Sequence, residues 1–396
     1  MKPELTSLLV IVAIAAAVPL LVGLLRIKVA QVVILLAGGI IFGPGVLGWI
    51  TIDNSISLLS ELGLGLLFFL AGMELESRSL KGRSGKLAAT GWFTSIALAL
   101  VLSALLATSG VIKDFAGFAI ALTSTALGTL LPIMRDNGSL GGRFGTYFMG
   151  AGAWGELGPI ISIAVFLSTR SSWLALLTLL MFFAVSFVIG AMSRVLSTEK
   201  IRRLVIGSYK TSSQTGVRIT MLFVVLFLGL SIGLGFDGVL GAFIAGILAR
   251  RLVPRDEESP LELRIEAIAF GFFVPIFFVV SGANLDIDSI LKNPVPMLLA
   301  FVALFVVRAL PQYVIYRHAI PDRAERMSFA LLVGTALPII VAITTVEVQA
   351  GAMKASSAAA LVGAGALTVL VFPAASSILS KRIKRSINET PLEVAN

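Results

Sequence analysis

Apolar runs of about 18 to 25 residues, separated by short charged links, recur along the whole chain. The first is residues 5–25, LTSLLVIVAIAAAVPLLVGLL. A helix rises 1.5 Å per residue, so a run of this length crosses the roughly 30 Å hydrocarbon core of a bilayer. Charged residues make up 13% of the chain, against roughly 25% in a soluble protein. The fold class expected is an all-α polytopic membrane protein. The first run is too long for a signal-peptide core, and its basic residues, Arg26 and Lys28, follow it, so it reads as a retained span. With no cysteine there is no disulfide and no thiolate metal site. A single histidine, His318, excludes clusters of histidine ligands, and no cofactor is expected.

Thirteen spans are expected, at about 5–25, 29–47, 56–75, 87–109, 114–133, 142–168, 172–196, 215–234, 238–250, 263–283, 293–316, 326–349 and 355–380. With the N-terminus outside, 25 of the 31 basic residues fall on inner links and flanks and five on outer ones. The one left over, Arg308, lies in the middle of span eleven. This bias is the positive-inside rule; it predicts an inner (cell) membrane protein with its N-terminus out and C-terminus in the cytoplasm. It also accounts for the net charge of +9 without a nucleic-acid partner.

Thirteen divides as 6+1+6. If span seven is a linker, the two six-span halves run in opposite directions, as in an inverted-repeat transporter. Spans five and twelve, which the repeat pairs, carry LTSTALG (122–128) and LVGTALP (332–338). Both are poor helix. Thr123, Ser124 and Thr125 compete for backbone hydrogen bonds, and Pro132 and Pro338 withhold donors from Gly128 and Gly334. Irregular backbone at membrane depth is tolerated inside protein or along a wet cavity. The expectation is therefore two discontinuous, crossing helices, the second unwound around Gly334, Thr335 and Pro338.

Charges within spans need a partner, a wet cavity or protonation. Glu156 is the deepest, the one charge between Arg143 and Arg170. Glycines at 150, 152, 155 and 158 open space around it, and Pro159 leaves the carbonyl of Gly155 without its helical donor. A carboxylate with free carbonyls and threonine hydroxyls suits a hard monovalent cation, and the same group can carry a proton in turn. Arg308 stays protonated in almost any site, so it reads as a fixed charge partner for Glu156. Glu61 and Glu266 read as reaching the interfaces, and Glu347 as guarding the outer mouth or solvated. The glycine pattern from Gly150 to Gly155 matches a dinucleotide-binding fingerprint but follows no strand. No esterase or protease signature is present, and Trp49, Trp92, Trp154 and Trp173 are scattered. The chain does not read as an enzyme.

GGIIFGPGVLG (38–48), LSELGLGLLFFLAGMELE (59–76), LTSTALGTLLPIMRD (122–136), GELGPI (155–160) and FGFFVPIFFVVSGANLD (270–286) together resemble the monovalent cation:proton antiporter-2 family. That group includes the sodium/hydrogen exchanger-like and potassium-efflux-like bacterial transporters. The resemblance implies a dimer-forming panel (residues 1–86 and 215–292) and an ion-binding core (87–168 and 293–381). It also implies a linker (169–214), a cytoplasmic tail (382–396), homodimers and an elevator-like cycle. Electrogenic members of the family carry two adjacent aspartates in span six; here the matching pair is Gly155-Glu156. The resemblance implies Glu156 as the site shared by Na+ or K+ and H+, with Thr123, Ser124, Thr125 and Gly155 beside it. One carboxylate implies electroneutral 1:1 exchange. A channel, a sodium-coupled solute symporter and a non-transporting sensor of the same fold remain as alternatives.

Overall fold

The protein was analysed as a computed structural model, which describes residues 3–25, 30–74, 82–108, 115–136, 142–166, 214–252 and 260–389, with residues 180 and 184. The expected seventh span, 172–196, thus lies almost wholly outside the described residues. Those residues contain helices and no strand. Nine helical stretches among them, three made of two helices in succession, are long and apolar enough to cross a membrane, and three shorter apolar ones accompany them. The chain is thus a multi-pass helical membrane protein.

In chain order the helices are α1 (Pro3–Leu25), α2 (Gln31–Phe42), α3 (Asn54–Glu74), α4 (Gly82–Thr108), α5 (Phe115–Leu122) and α6 (Leu127–Asp136). They continue with α7 (Gly142–Phe166), α8 (Thr215–Gly233), α9 (Gly238–Leu252), α10 (Pro260–Ile268), α11 (Val274–Ala283) and α12 (Ile287–Lys292). The last are α13 (Val295–Leu304), α14 (Leu310–Ile315), α15 (Arg323–Val333), α16 (Pro338–Gln349) and α17 (Ala355–Glu389).

The chain forms two compact units. One comprises residues 1–76 and 160–287, the other residues 77–159 and 288–396. In the first, helices meet through glycine. A side chain at Gly72 of α3 would meet the Phe243 carbonyl of α9, and one at Gly246 of α9 the Phe69 carbonyl of α3. Lipid offers no hydrophobic drive for helices to associate, so such close backbone approach supplies the packing contact instead. Glu61 is exposed in this unit.

The second unit holds the deep charges. Its core packs Leu127, Leu130, Tyr147, Phe148, Tyr316, Phe329 and Leu332 into one buried cluster. Glu347 is 4% exposed, so it is not a solvated residue. Trp92 and Trp154, distant in sequence, come together with ring centroids 6.1 Å apart, and the Trp92 ring fills the space beside Gly158.

Two wide π-turns interrupt otherwise regular helix, at Ala269–Phe273 and Phe305–Ala309. Each stands two residues before a proline, Pro275 and Pro311. Proline cannot donate to the carbonyl four residues back, and its ring crowds that carbonyl; one wide turn absorbs both effects. The turns close through Val274 N–H to Ala269 O and Leu310 N–H to Phe305 O. Arg308 lies inside the second of them.

Candidate functional site

Helix α5 ends where its sequence offers hydroxyls. Thr123 Oγ1 donates to Ile120 O at 2.8 Å and Ser124 Oγ to Ala121 O at 2.8 Å. These carbonyls would otherwise serve continuing helix, so the chain leaves helical geometry over residues 123–126 and restarts at Leu127. The break lies upstream of Pro132, which sits within α6. The proline expected to open span five is therefore not at the opening; the hydroxyl residues are.

The second interruption covers residues 334–337, between α15 and α16. Here Pro338 does mark the restart, at the first position of α16, where its missing N–H has no helical partner to lose. Gly334 N–H still bonds Ala330 O at 2.9 Å, and Thr335 Oγ1 donates to Leu331 O at 3.1 Å. The two interruptions touch. Ala126 N–H donates to Thr335 O at 2.7 Å, and Thr125 Oγ1 donates to Val333 O at 2.7 Å. Thr125 N–H in turn bonds Gly155 O at 3.0 Å, which ties both to α7 and occupies the carbonyl that Pro159 leaves without a helical donor.

Glu156, on α7, is 5% exposed. Its Oε1 accepts the Leu127 N–H at 3.0 Å and the Gly128 N–H at 3.3 Å. These are orphan donors at the start of α6, where the helix dipole also favours negative charge. Oε2 is buried and has no partner among the described residues. The carbonyl oxygens of Thr123, Ser124 and Thr125 likewise accept no hydrogen bond among those residues.

Arg308 is fully buried. Its Nε and Nη2 donate to Thr125 Oγ1 at 3.0 and 2.9 Å, and Nη2 also donates to Ala151 O at 3.0 Å. The expected direct pairing with Glu156 is not made. The guanidinium reaches a hydroxyl and a backbone carbonyl instead, and the carboxylate is held by backbone N–H groups. The Thr125 hydroxyl is thereby filled: it gives its proton to Val333 and takes two donors from Arg308, which is its full capacity. Gly155 has no room for a side chain. A Cβ there would meet Thr125 Oγ1 and stand 2.5 Å from Arg308 Nη2.

Sequence reasoning missed Thr368 of α17, which is fully buried. Its Oγ1 accepts the Ala336 N–H at 3.0 Å and lies 3.0 Å from Ala336 O. Its signal was a lone hydroxyl in an apolar run, about as far into α17 as Glu156 is into α7. The carbonyls of Ala151 and Val333 carried no signal, because any residue supplies one.

A family model described as "Sodium/hydrogen exchanger, transmembrane" matches residues 10–382. The chain belongs to that family. Among curated relatives, this family member is 27% identical over 404 residues to the putative Na+/H+ antiporter YjbQ of Bacillus subtilis, covering 96% of this chain and 64% of YjbQ. It is 28% identical over 319 residues to the Na+/H+-K+ antiporter GerN of Bacillus cereus, covering 73% of this chain and 74% of GerN. The chain thus spans less than two thirds of the length of YjbQ. The solved sodium proton antiporter MjNhaP1 of Methanocaldococcus jannaschii shares its fold, with a TM-score of 0.62 at 17% identity over 96% of this chain and 100% of that one.

Proposed function

We propose that this exchanger moves a monovalent cation, with Na+ favoured over K+, against H+, and that Glu156 binds the two in turn. The observation that carries the reading is the split role of the Glu156 carboxylate. One oxygen is anchored on the N–H groups of Leu127 and Gly128, while the other is buried without a partner among the described residues. The anchored oxygen holds the group in place, and the other is available to a proton or to an ion stripped of water. Oxygen ligands suit hard cations such as Na+ and K+. The carbonyls of Thr123, Ser124 and Thr125 complete the proposed shell. The hydroxyls of Thr123 and Ser124 donate to the ends of α5 and keep lone pairs, so they join it. The Thr125 hydroxyl is full and serves to position Arg308, so Thr125 contributes its carbonyl.

The wider reading is a thirteen-span protein of two inverted six-span halves, with the N-terminus outside and the C-terminus in the cytoplasm of a cell with an inner membrane. The paired Thr-Ala-Leu stretches, 125–127 and 335–337, support the repeat, since each falls at a helix interruption. We read the working unit as a homodimer whose core carries the ion between the two faces of the membrane, elevator fashion. Exchange is electroneutral, one H+ per cation, because position 155 carries no carboxylate and admits no side chain. The chain is a transporter and not an enzyme.

The test is purified protein in proteoliposomes with an internal pH dye, given Na+, K+ and Li+ separately. A cation-driven pH change that is lost in Glu156→Gln supports the reading. No proton movement with any of the three cations, or normal exchange by Glu156→Gln, rejects it.

A further inference from the structure

The Ala336 N–H and the Thr335 C=O belong to one peptide unit. A trans peptide is planar, with its N–H and C=O pointing in opposite directions. Thr368 Oγ1 holds the N–H end at 3.0 Å. The C=O end accepts the Ala126 N–H at 2.7 Å. That N–H belongs in turn to the peptide unit whose other end is the Thr125 C=O, one of the three carbonyls with no hydrogen-bond donor among the described residues. Two rigid planes therefore link the Thr368 hydroxyl to the direction of the Thr125 carbonyl.

We propose that Thr368 is a positioning residue for cation binding, setting the aim of the Thr125 carbonyl through the Thr335–Ala336 and Thr125–Ala126 peptides. The inference rests on the proposed cation site and adds a residue to its support. Thr368 suits the task because it is fully buried and its hydroxyl is tied on its own helix to Gly365 O at 2.7 Å. A hydroxyl that donates along its helix keeps lone pairs for a passing N–H. The Ala336 N–H lies in non-helical chain, and no helical carbonyl is there to replace Thr368. Thr368 thus does for the second interruption what Glu156 does for the first, with a neutral oxygen in place of a carboxylate.

The experiment compares Thr368→Val, which keeps the shape and removes the hydroxyl, with Thr368→Ser, which keeps the hydroxyl. Cation-driven exchange is measured in proteoliposomes alongside Glu156→Gln. Thr368→Val should raise the cation KM roughly five- to tenfold, the size of one neutral hydrogen bond. The rate at saturating cation should be little changed, and Thr368→Ser should match the parent. In hydrogen exchange, amides near Ala126 and Ala336 should lose protection together in Thr368→Val. An unchanged KM in Thr368→Val, or an equal rise in Thr368→Ser, overturns the proposal. If the valine variant does not fold, Thr368→Ala against Thr368→Ser is read by the same criteria. Exchange that survives in Glu156→Gln defeats the cation site itself; a dead Glu156→Gln with a normal Thr368→Val defeats only the role of Thr368.

Discussion

Arg308 spends two of its donors, Nε at 3.0 Å and Nη2 at 2.9 Å, on the hydroxyl of Thr125 and none on the carboxylate of Glu156. Thr125 thus joins a fixed cation to the interrupted chain, since its proton goes to Val333 O. Thr125→Val removes the acceptor and leaves charged donors unmet at a fully buried site. Hydrogen bonds to charged groups contribute about 1.5–3 kcal/mol each, so the loss should be about 3 kcal/mol. Thermal unfolding in detergent should show a marked drop for Thr125→Val and a small one for Thr125→Ser. Parent-like stability in the valine variant would remove Thr125 from this role.

Arg308→Lys tests geometry against charge. Arginine presents a planar fork, and this one serves Thr125 and Ala151 together. Lysine keeps the charge but only as a point donor on a flexible stem. Exchange should fall partly in Arg308→Lys and be abolished in Arg308→Ala, which also opens a cavity beneath the Phe305–Ala309 turn. The variants should be compared with the parent at equal reconstituted amounts; parent-like activity in both would show that neither fork nor charge matters.

Gly155 is closed to a side chain by Thr125 and Arg308. Gly155→Ala should therefore destabilise by about 1–3 kcal/mol, the usual cost of overpacking a well-filled site. Gly155→Asp should do so more strongly and should not yield a two-carboxylate exchanger, because its carboxylate would first have to displace the Thr125–Arg308 contact. A stable Gly155→Asp protein with raised proton uptake per cation would show that this contact yields easily.

The spans were legible because twenty apolar residues in a row have few other fates. So was the break after Leu122, since Thr-Ser-Thr competes with its own backbone wherever it stands. Glu156 and Arg308 stood out as charges in hydrocarbon, yet their partners did not. Both partners are largely backbone, N–H groups of Leu127 and Gly128 and the carbonyl of Ala151, and a sequence has no letter for a free peptide group. Attraction of opposite charges suggested an ion pair; the helix start at Leu127 offered the carboxylate donors without one. The π-turn that aims Arg308 was written in Pro311, but a proline reads equally as a kink until the chain around it is seen. Thr368 was invisible for a similar reason: alone on an apolar helix, a threonine most often bonds its own backbone, and this one does so as well.

A cycle that moves two protons for one cation needs a second group that gives up its proton. Lysine serves that purpose when desolvated, and a neighbouring carboxylate does so too. Position 308 is arginine, which keeps its proton, and its guanidinium occupies the space a side chain at 155 would need. On the proposed reading Glu156 alone among these groups exchanges a proton for a cation, so the cycle should carry no net charge. One elementary charge moved through 100 mV is worth roughly 2.3 kcal/mol, enough to make an electrogenic exchanger respond plainly to voltage. Proteoliposomes clamped at 0 mV with valinomycin and potassium should therefore show the same Na+/H+ exchange rate as vesicles holding a potential. Transient currents on solid-supported membranes should be absent. A steady voltage dependence would require another titrating acid, and Glu347, buried at 4% exposure in the same unit, would be the first to replace with glutamine.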